Sequence, residues 1–153
     1  MTTHIYKKTK GFTLIEILLV IALIAILASI VIVAINPARQ LGQAQDAQRH
    51  SDVKTILDAV GQYSIDNAGS LPSGIPTGTT CETDGSVICK ADAECEGVSL
   101  DILTVNRLYI TDLPTDPTAA TADETGYNIM KNSERVTVCA PTTYGSSTIS
   151  VSR

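Results

Sequence analysis

Lys7-Lys8-Thr9-Lys10-Gly11-Phe12-Thr13-Leu14-Ile15-Glu16 leads into an almost uninterrupted aliphatic run that ends at Ile35. Of the 24 residues from Phe12 to Ile35, only Thr13, Glu16 and Ser29 are polar. That length exceeds the roughly 20 apolar residues a helix needs to cross a bilayer core. It is also longer than the apolar part of a secretory signal, about 7 to 15 residues, and no small-residue cleavage site follows it. Three lysines precede the span and only Arg39 closely follows it, so the charge bias predicts a cytoplasmic N-terminus with everything after Ile35 outside.

Glu16 carries the sharpest inference. A charge at the bilayer centre costs about 2.5 to 3.5 kcal/mol even on lenient insertion scales. Glu16 sits about 7 Å along the helix from Gly11 at about 1.5 Å per residue, so it could snorkel to the interface. A cation in the apolar phase is the alternative. Cutting the bond between Gly11 and Phe12 would create one, the Phe12 amine, on this chain or a neighbour. At about 4 Å and an effective dielectric near 20 the attraction is of order 4 kcal/mol before desolvation.

Lys10-Gly11-Phe12-Thr13-Leu14-Ile15-Glu16 followed by the aliphatic run resembles the class III leader of type IV pilins and pseudopilins. The resemblance is specific over about residues 7 to 35 and persists as an architectural likeness to about residue 66. It implies cleavage after Gly11 by a prepilin peptidase and N-methylation of Phe12. It gives Glu16 a role in assembly, pairing with the amine of an adjacent subunit. The implied partners are other copies of the chain in a helical filament, the membrane before assembly, and a pilus assembly platform with its ATPase. The fold implied is α+β: a long N-terminal helix packed on a small antiparallel sheet head, a pilin-like lollipop. The expected segments are a leader at 1–11, a membrane or filament-core helix at 12–35, an amphipathic continuation at 36–68 and a disulfide-bearing head at 69–153.

Beyond the span, Asn36-Pro37 predicts a break, because proline removes a backbone donor and pushes its predecessor out of helical geometry. Gly42 is expected to weaken the same region. The resemblance implies a segment that melts so that the helix can repack in a filament. Small apolar residues at Ala38, Leu41, Ala44 and Ala47 suit close contact between helices. Val53, Ile56, Leu57 and Val60 make one apolar helical face, with Ser51, Asp52 and Lys54 expected on the wet side. Asn67-Ala68-Gly69 is a natural stop.

Without residues 1–11 the 153-residue chain leaves 142, and the head is small enough to need covalent ties. Cys81, Cys89, Cys95 and Cys139 all lie on the outward side and read as disulfides. Zinc would want short paired spacings and more histidine than His4 and His50 provide. Asp84-Gly85 predicts a hairpin over Cys81 to Cys89. A two-residue turn would pair Cys81 with Ile88, and a three-residue turn would set Cys81 opposite Cys89. The sequence favours Cys81 with Cys89 and Cys95 with Cys139 among three pairings left open.

The rest of the head predicts a loop at Leu71 to Thr80, a short helix at Val98 to Leu108 capped by Ser99, and a clear hairpin. That hairpin runs from Gly126 to Met130 and Val136 to Ala140 around a turn at Lys131 to Glu134. Thr148 to Val151 predicts an edge strand. Some pseudopilins hold calcium in a loop after an Asp-Pro pair, which makes Asp112, Asp116, Asp123 and Glu124 candidate ligands. No ordered ligand motif accompanies them, so solvated acids and turn caps are expected, with no metal and no cofactor.

Three of the 11 basic residues lie in the leader and all 16 acidic residues beyond it, so 8 remain against 16 and the exported part carries a charge of −8. Direct capture of nucleic acid is disfavoured by that excess. No nucleophile elbow, phosphate loop or paired histidine points to an enzyme. The expectation is a filament subunit serving adhesion, motility or DNA uptake. A pseudopilin of a type II secretion or competence system is the near alternative, and an uncleaved membrane-anchored binding protein the distant one.

Overall fold

The computed structural model describes residues 11–90, 95–119, 121, 123–133, 135–145 and 148–153. The leader up to Lys10 and the turn residue Glu134 therefore lie outside the described residues. The chain divides into two compact units, Met1–Gln40 and Leu41–Arg153.

In the first unit, helix α1 spans Leu14–Ile35, and not one of its 22 residues is buried by the rest of the chain. By length and composition it is the one described helix able to cross a membrane. It ends where the sequence predicts a break: Asn36 takes a left-handed conformation, φ 49° and ψ 77°, which asparagine tolerates better than most residues. Pro37 then occupies the first position of α2, Pro37–Asp66, where its missing N–H costs nothing. The Asn36 side chain accepts from Arg39 N at 3.3 Å, so one residue closes α1 and caps α2.

The second unit is built on α2 from Leu41 onward. Val53, Ile56, Leu57 and Val60 are at most 3% exposed, a face whose burial contributes about 1.5 to 3 kcal/mol per side chain. Ile88, Leu100, Leu103, Tyr127, Ile129, Val136 and Val138 are among the residues that join it in the core. The helix stops at Asn67-Ala68-Gly69, where Ala68 and Gly69 have positive φ and Gly69 N donates back to Ser64 O at 2.8 Å. Gly42 does not break the helix. It lies within α2 and is buried; a Cβ there would stand 2.2 Å from the Tyr144 ring. The glycine admits a neighbour, which is a packing role rather than a hinge.

The sheet has five strands in the order β2-β1-β3-β4-β5. They are β1 Ser86–Cys89, β2 Val98–Ser99, β3 Glu124–Asn132, β4 Arg135–Ala140 and β5 Ile149–Ser152. The β3–β4 hairpin and the β5 edge fall where the alternation of Tyr127, Ile129, Val136, Val138, Ile149 and Val151 predicts them. All pairings are antiparallel except β1 with β2.

Two local expectations are corrected. Cys81 to Cys89 is not a hairpin: Cys81–Asp84 forms a helical turn, α3, before β1. The Asp84 carboxylate is taken up as a cap, accepting from Thr79 N at 2.8 Å, Thr79 Oγ1 at 3.0 Å and Thr80 N at 3.0 Å. Gly85 lets the backbone pass close to the Cys81 carbonyl, 2.3 Å from where a Cβ would be. Cys81 is consequently buried against the sheet rather than set opposite Cys89, and the disulfides are Cys81–Cys139 and Cys89–Cys95. The favoured pairing fails because it assumed a strand at Cys81. The helix expected at Val98 to Leu108 is likewise absent. Val98 pairs with Ile88 as strand, and only two 3₁₀ turns follow, Asp101–Leu103 and Val105–Arg107. Ser99 still accepts from Asp101 N at 3.3 Å, a local turn rather than a helix cap.

Candidate processing and assembly site

Gly11 and Phe12 precede the helix in exposed, non-helical backbone, and Phe12 is 78% exposed. A Cβ on Gly11 would meet nothing within 4 Å, so no described residue encloses it. Thr13 is the N-cap of α1, and its side chain accepts from Glu16 N at 3.2 Å. Thr13 and Glu16 thus stand at the Thr-x-x-Glu spacing of a capping box, a signal legible in the sequence. Glu16 also lies in the first helical turn, where the helix dipole favours a negative charge.

The three polar residues of the apolar stretch now separate. The Thr13 hydroxyl is used by the cap, and Ser29 Oγ donates to Ile26 O at 2.7 Å. The Glu16 carboxylate has neither hydrogen bond nor ion pair among the described residues. Pro37 stands next to the backbone break; Gly42 belongs to the second unit.

The second unit holds a polar cluster that the sequence reading missed. Arg49, 2% exposed, donates through Nε and Nη2 to Asp116 at 2.6 and 3.1 Å. It also reaches Asp46 at 2.8 Å and Thr118 Oγ1 at 2.7 Å. Asp52 is buried, not on the wet face: it accepts from Tyr127 Oη at 2.7 Å and Gln48 Nε2 at 2.7 Å. Burial pushes the Asp116 carboxyl up, but hydrogen bonds from Arg49 and Thr118 outweigh it and hold the group below the ordinary range. The hydrogen bond to Asp116 outweighs burial at Arg49, whose guanidinium is raised. Burial and then the bond to Asp52 push the Tyr127 phenol far up. Arg49 was detectable, since it shares the helical face of Val53, Ile56 and Val60 at spacings of 4, 7 and 11.

The calcium candidates are not brought together, and no cluster of metal-ligating side chains occurs among the described residues. Asp116 is spent on Arg49, Asp112 Oδ1 accepts from Leu113 N at 2.9 Å, and Glu124 Oε2 accepts from Thr121 at 3.2 Å. Asp123 gives its backbone carbonyl to Lys90 N.

A family model described as the prokaryotic N-terminal methylation motif matches residues 6–32. The match covers Gly11, Phe12, Glu16 and most of α1, and the motif is a structural pilin-type one rather than that of an enzyme. No curated protein and no solved structure matches the chain.

Proposed function

For a chain whose N-terminal segment is that of the type IV pilin and pseudopilin family, we propose the role of structural subunit in a type IV pilus-like filament. The observation that carries this reading is a 22-residue apolar helix with no buried residue and, near its start, one carboxylate without a partner among the described residues. Such a helix needs lipid or other helices around it. Helix packing within the membrane brings copies together, and the Phe12 amine, released by a prepilin peptidase and methylated, neutralises Glu16 of a neighbour. An assembly platform and its ATPase then extract the subunit. The acidic second unit remains outside, available for adhesion, motility or a part in DNA uptake.

N-terminal mass spectrometry on protein sheared from the cell surface tests the reading. The expected chain begins at Phe12 and carries one added methyl group. An intact Met1 or Thr2 on protein retained in membranes overturns it in favour of an uncleaved anchored protein.

A further inference from the structure

The two edges of the sheet differ. On one side the sheet ends in β2, which is two residues long, Val98–Ser99. On the other it ends in β5, and no described strand pairs with the outer side of that strand. Val136 and Arg153 exchange both backbone hydrogen bonds, N to O at 2.9 Å each way. Antiparallel pairs alternate between bonded and unbonded, so Val151 and Ile149 also turn their N–H and C=O groups toward β4. Those of Ser150 and Ser152 point out from the edge, and both residues are exposed.

Folded chains blunt such an edge with a charge, a proline or a bulge. β5 has none of these. Thr148 to Ser152 contains no charged residue and no proline, and the register with β4 runs from Ala140 opposite Ile149 to Thr137 opposite Ser152 without a shift. Arg153, next along, is paired with Asp58 at 3.0 Å. In a chain with 16 acidic and 11 basic residues, an uncharged stretch is where two copies meet at least electrostatic cost. The order Thr-Ile-Ser-Val-Ser also reads the same in both directions by kind, polar and aliphatic residues alternating about Ser150.

We propose that β5 pairs with β5 of a second copy of this chain about a two-fold axis at Ser150, joining the two sheets edge to edge. In that antiparallel register the bonded pairs are Ser150 with its own counterpart and Thr148 with Ser152, and they use the outward backbone groups. The unbonded pairs set Ile149 opposite Val151 twice, on the face where both side chains already pack against the core. A register shifted by two residues would put Ile149 opposite Arg153 and lose that contact. A two-fold contact closes on itself, so it couples two copies, or one filament to its neighbour, and does not extend a filament. The inference rests on neither leader cleavage nor filament assembly.

Cysteine cross-linking of the full-length protein in detergent micelles is the test, under mild oxidation and read as dimer on a non-reducing gel. Bonded pairs hold their Cα atoms about 5.5 Å apart, within the range a disulfide spans, so Ser150→Cys should link two chains through a single position. Ser152→Cys should give at least tenfold less dimer, because its two copies lie about 13 Å apart along the strands at about 3.3 Å per residue. Thr148→Cys together with Ser152→Cys should restore the linkage. Ser150→Lys added to that pair should cut it at least tenfold by setting two ammonium groups face to face. Thr148, Ser150 and Ser152 are all exposed, so Tm should not move. No dimer from Ser150→Cys, as much dimer from Ser152→Cys, or a linkage indifferent to Ser150→Lys would each overturn the proposal.

Discussion

Two helices joined at Asn36-Pro37 solve the burial problem in opposite ways. The 22 residues of α1 bury nothing within the chain, whereas α2 buries eight, among them Arg49 and Asp52. In α1 the apolar surface is satisfied only by something outside the molecule. Its polar groups are satisfied locally at Thr13 and Ser29, and Glu16 has no partner among the described residues. In α2 the apolar face is satisfied inside, and polar groups enter the core because partners 67 and 75 residues away meet them there. A change in α1 should therefore disturb assembly without touching the stability of the second unit, and a change in the α2 core should do the reverse.

Glu16→Ala should give the largest effect. Filaments recovered by shearing and sedimentation should fall to a background level, while membrane insertion and the melting of the second unit stay as they were. A normal filament yield would break the contrast at its first term. Next, Arg49→Met leaves Asp116 buried and unpaired, which should cost about 3 to 5 kcal/mol in denaturant unfolding. Adding Asp116→Leu should recover most of that loss, because the penalty comes from the orphaned charge. If the double variant is no better than the single one, Arg49 acts through packing of its stem instead.

The disulfides sharpen the comparison inside the second unit. Cys81–Cys139 closes a separation of 58 residues and Cys89–Cys95 one of 6. On the loop-entropy account the first is worth about 4 kcal/mol and the second about 2. Paired Ser substitutions at each bridge, followed by thermal unfolding, check the order. Equal losses would show that strain or residual structure, not loop length, decides.

Acid should unfold the second unit through its carboxylates. Asp116 has a folded pKa below its unfolded one, so its contribution is full above the unfolded value of about 3.9 and is lost as pH falls through the folded value. Asp84, held at about 2 first by the Thr79 and then by the Thr80 backbone N–H, follows the same sign. Tm should be level from neutral pH to about 5 and drop below about 4. Asp116→Asn should flatten that drop. A Tm that declines already between pH 7 and 5 would assign the acid response to another group.

What the sequence makes legible follows the range of the interaction. The break before Pro37, the stop at Gly69 and the strands around Tyr127 and Val138 depend on near neighbours or simple alternation, and they are read correctly. The motif at Gly11 to Glu16 is contiguous for the same reason. Cys81 and Asp84 mislead because Asp-Gly fits a hairpin as well as a helix exit, and the choice is made by Thr79 and Thr80 offering their N–H groups. Asp52 misleads because a carboxylate on a helix is normally wet; Tyr127 overrides that from 75 residues away.

Gly42 offers the smallest effect and the most discriminating sign. As a helical glycine it should cost about 1 kcal/mol relative to alanine, yet a Cβ would collide with the Tyr144 ring, which is 47% exposed. Tyr144 is anchored by its backbone N–H to both oxygens of Asp46, at 3.0 and 3.1 Å, which keeps the Cα that carries the ring beside α2. Gly42→Ala alone should be neutral to destabilising by about 1 kcal/mol, the propensity gain being offset by overpacking. In a Tyr144→Ala background the obstruction is gone, and the same substitution should stabilise by up to about 1 kcal/mol. That reversal, measured by urea unfolding of the four proteins of the cycle, would fix Gly42 as a seat for Tyr144. A gain of equal size in both backgrounds would return it to the role of a helix weakener.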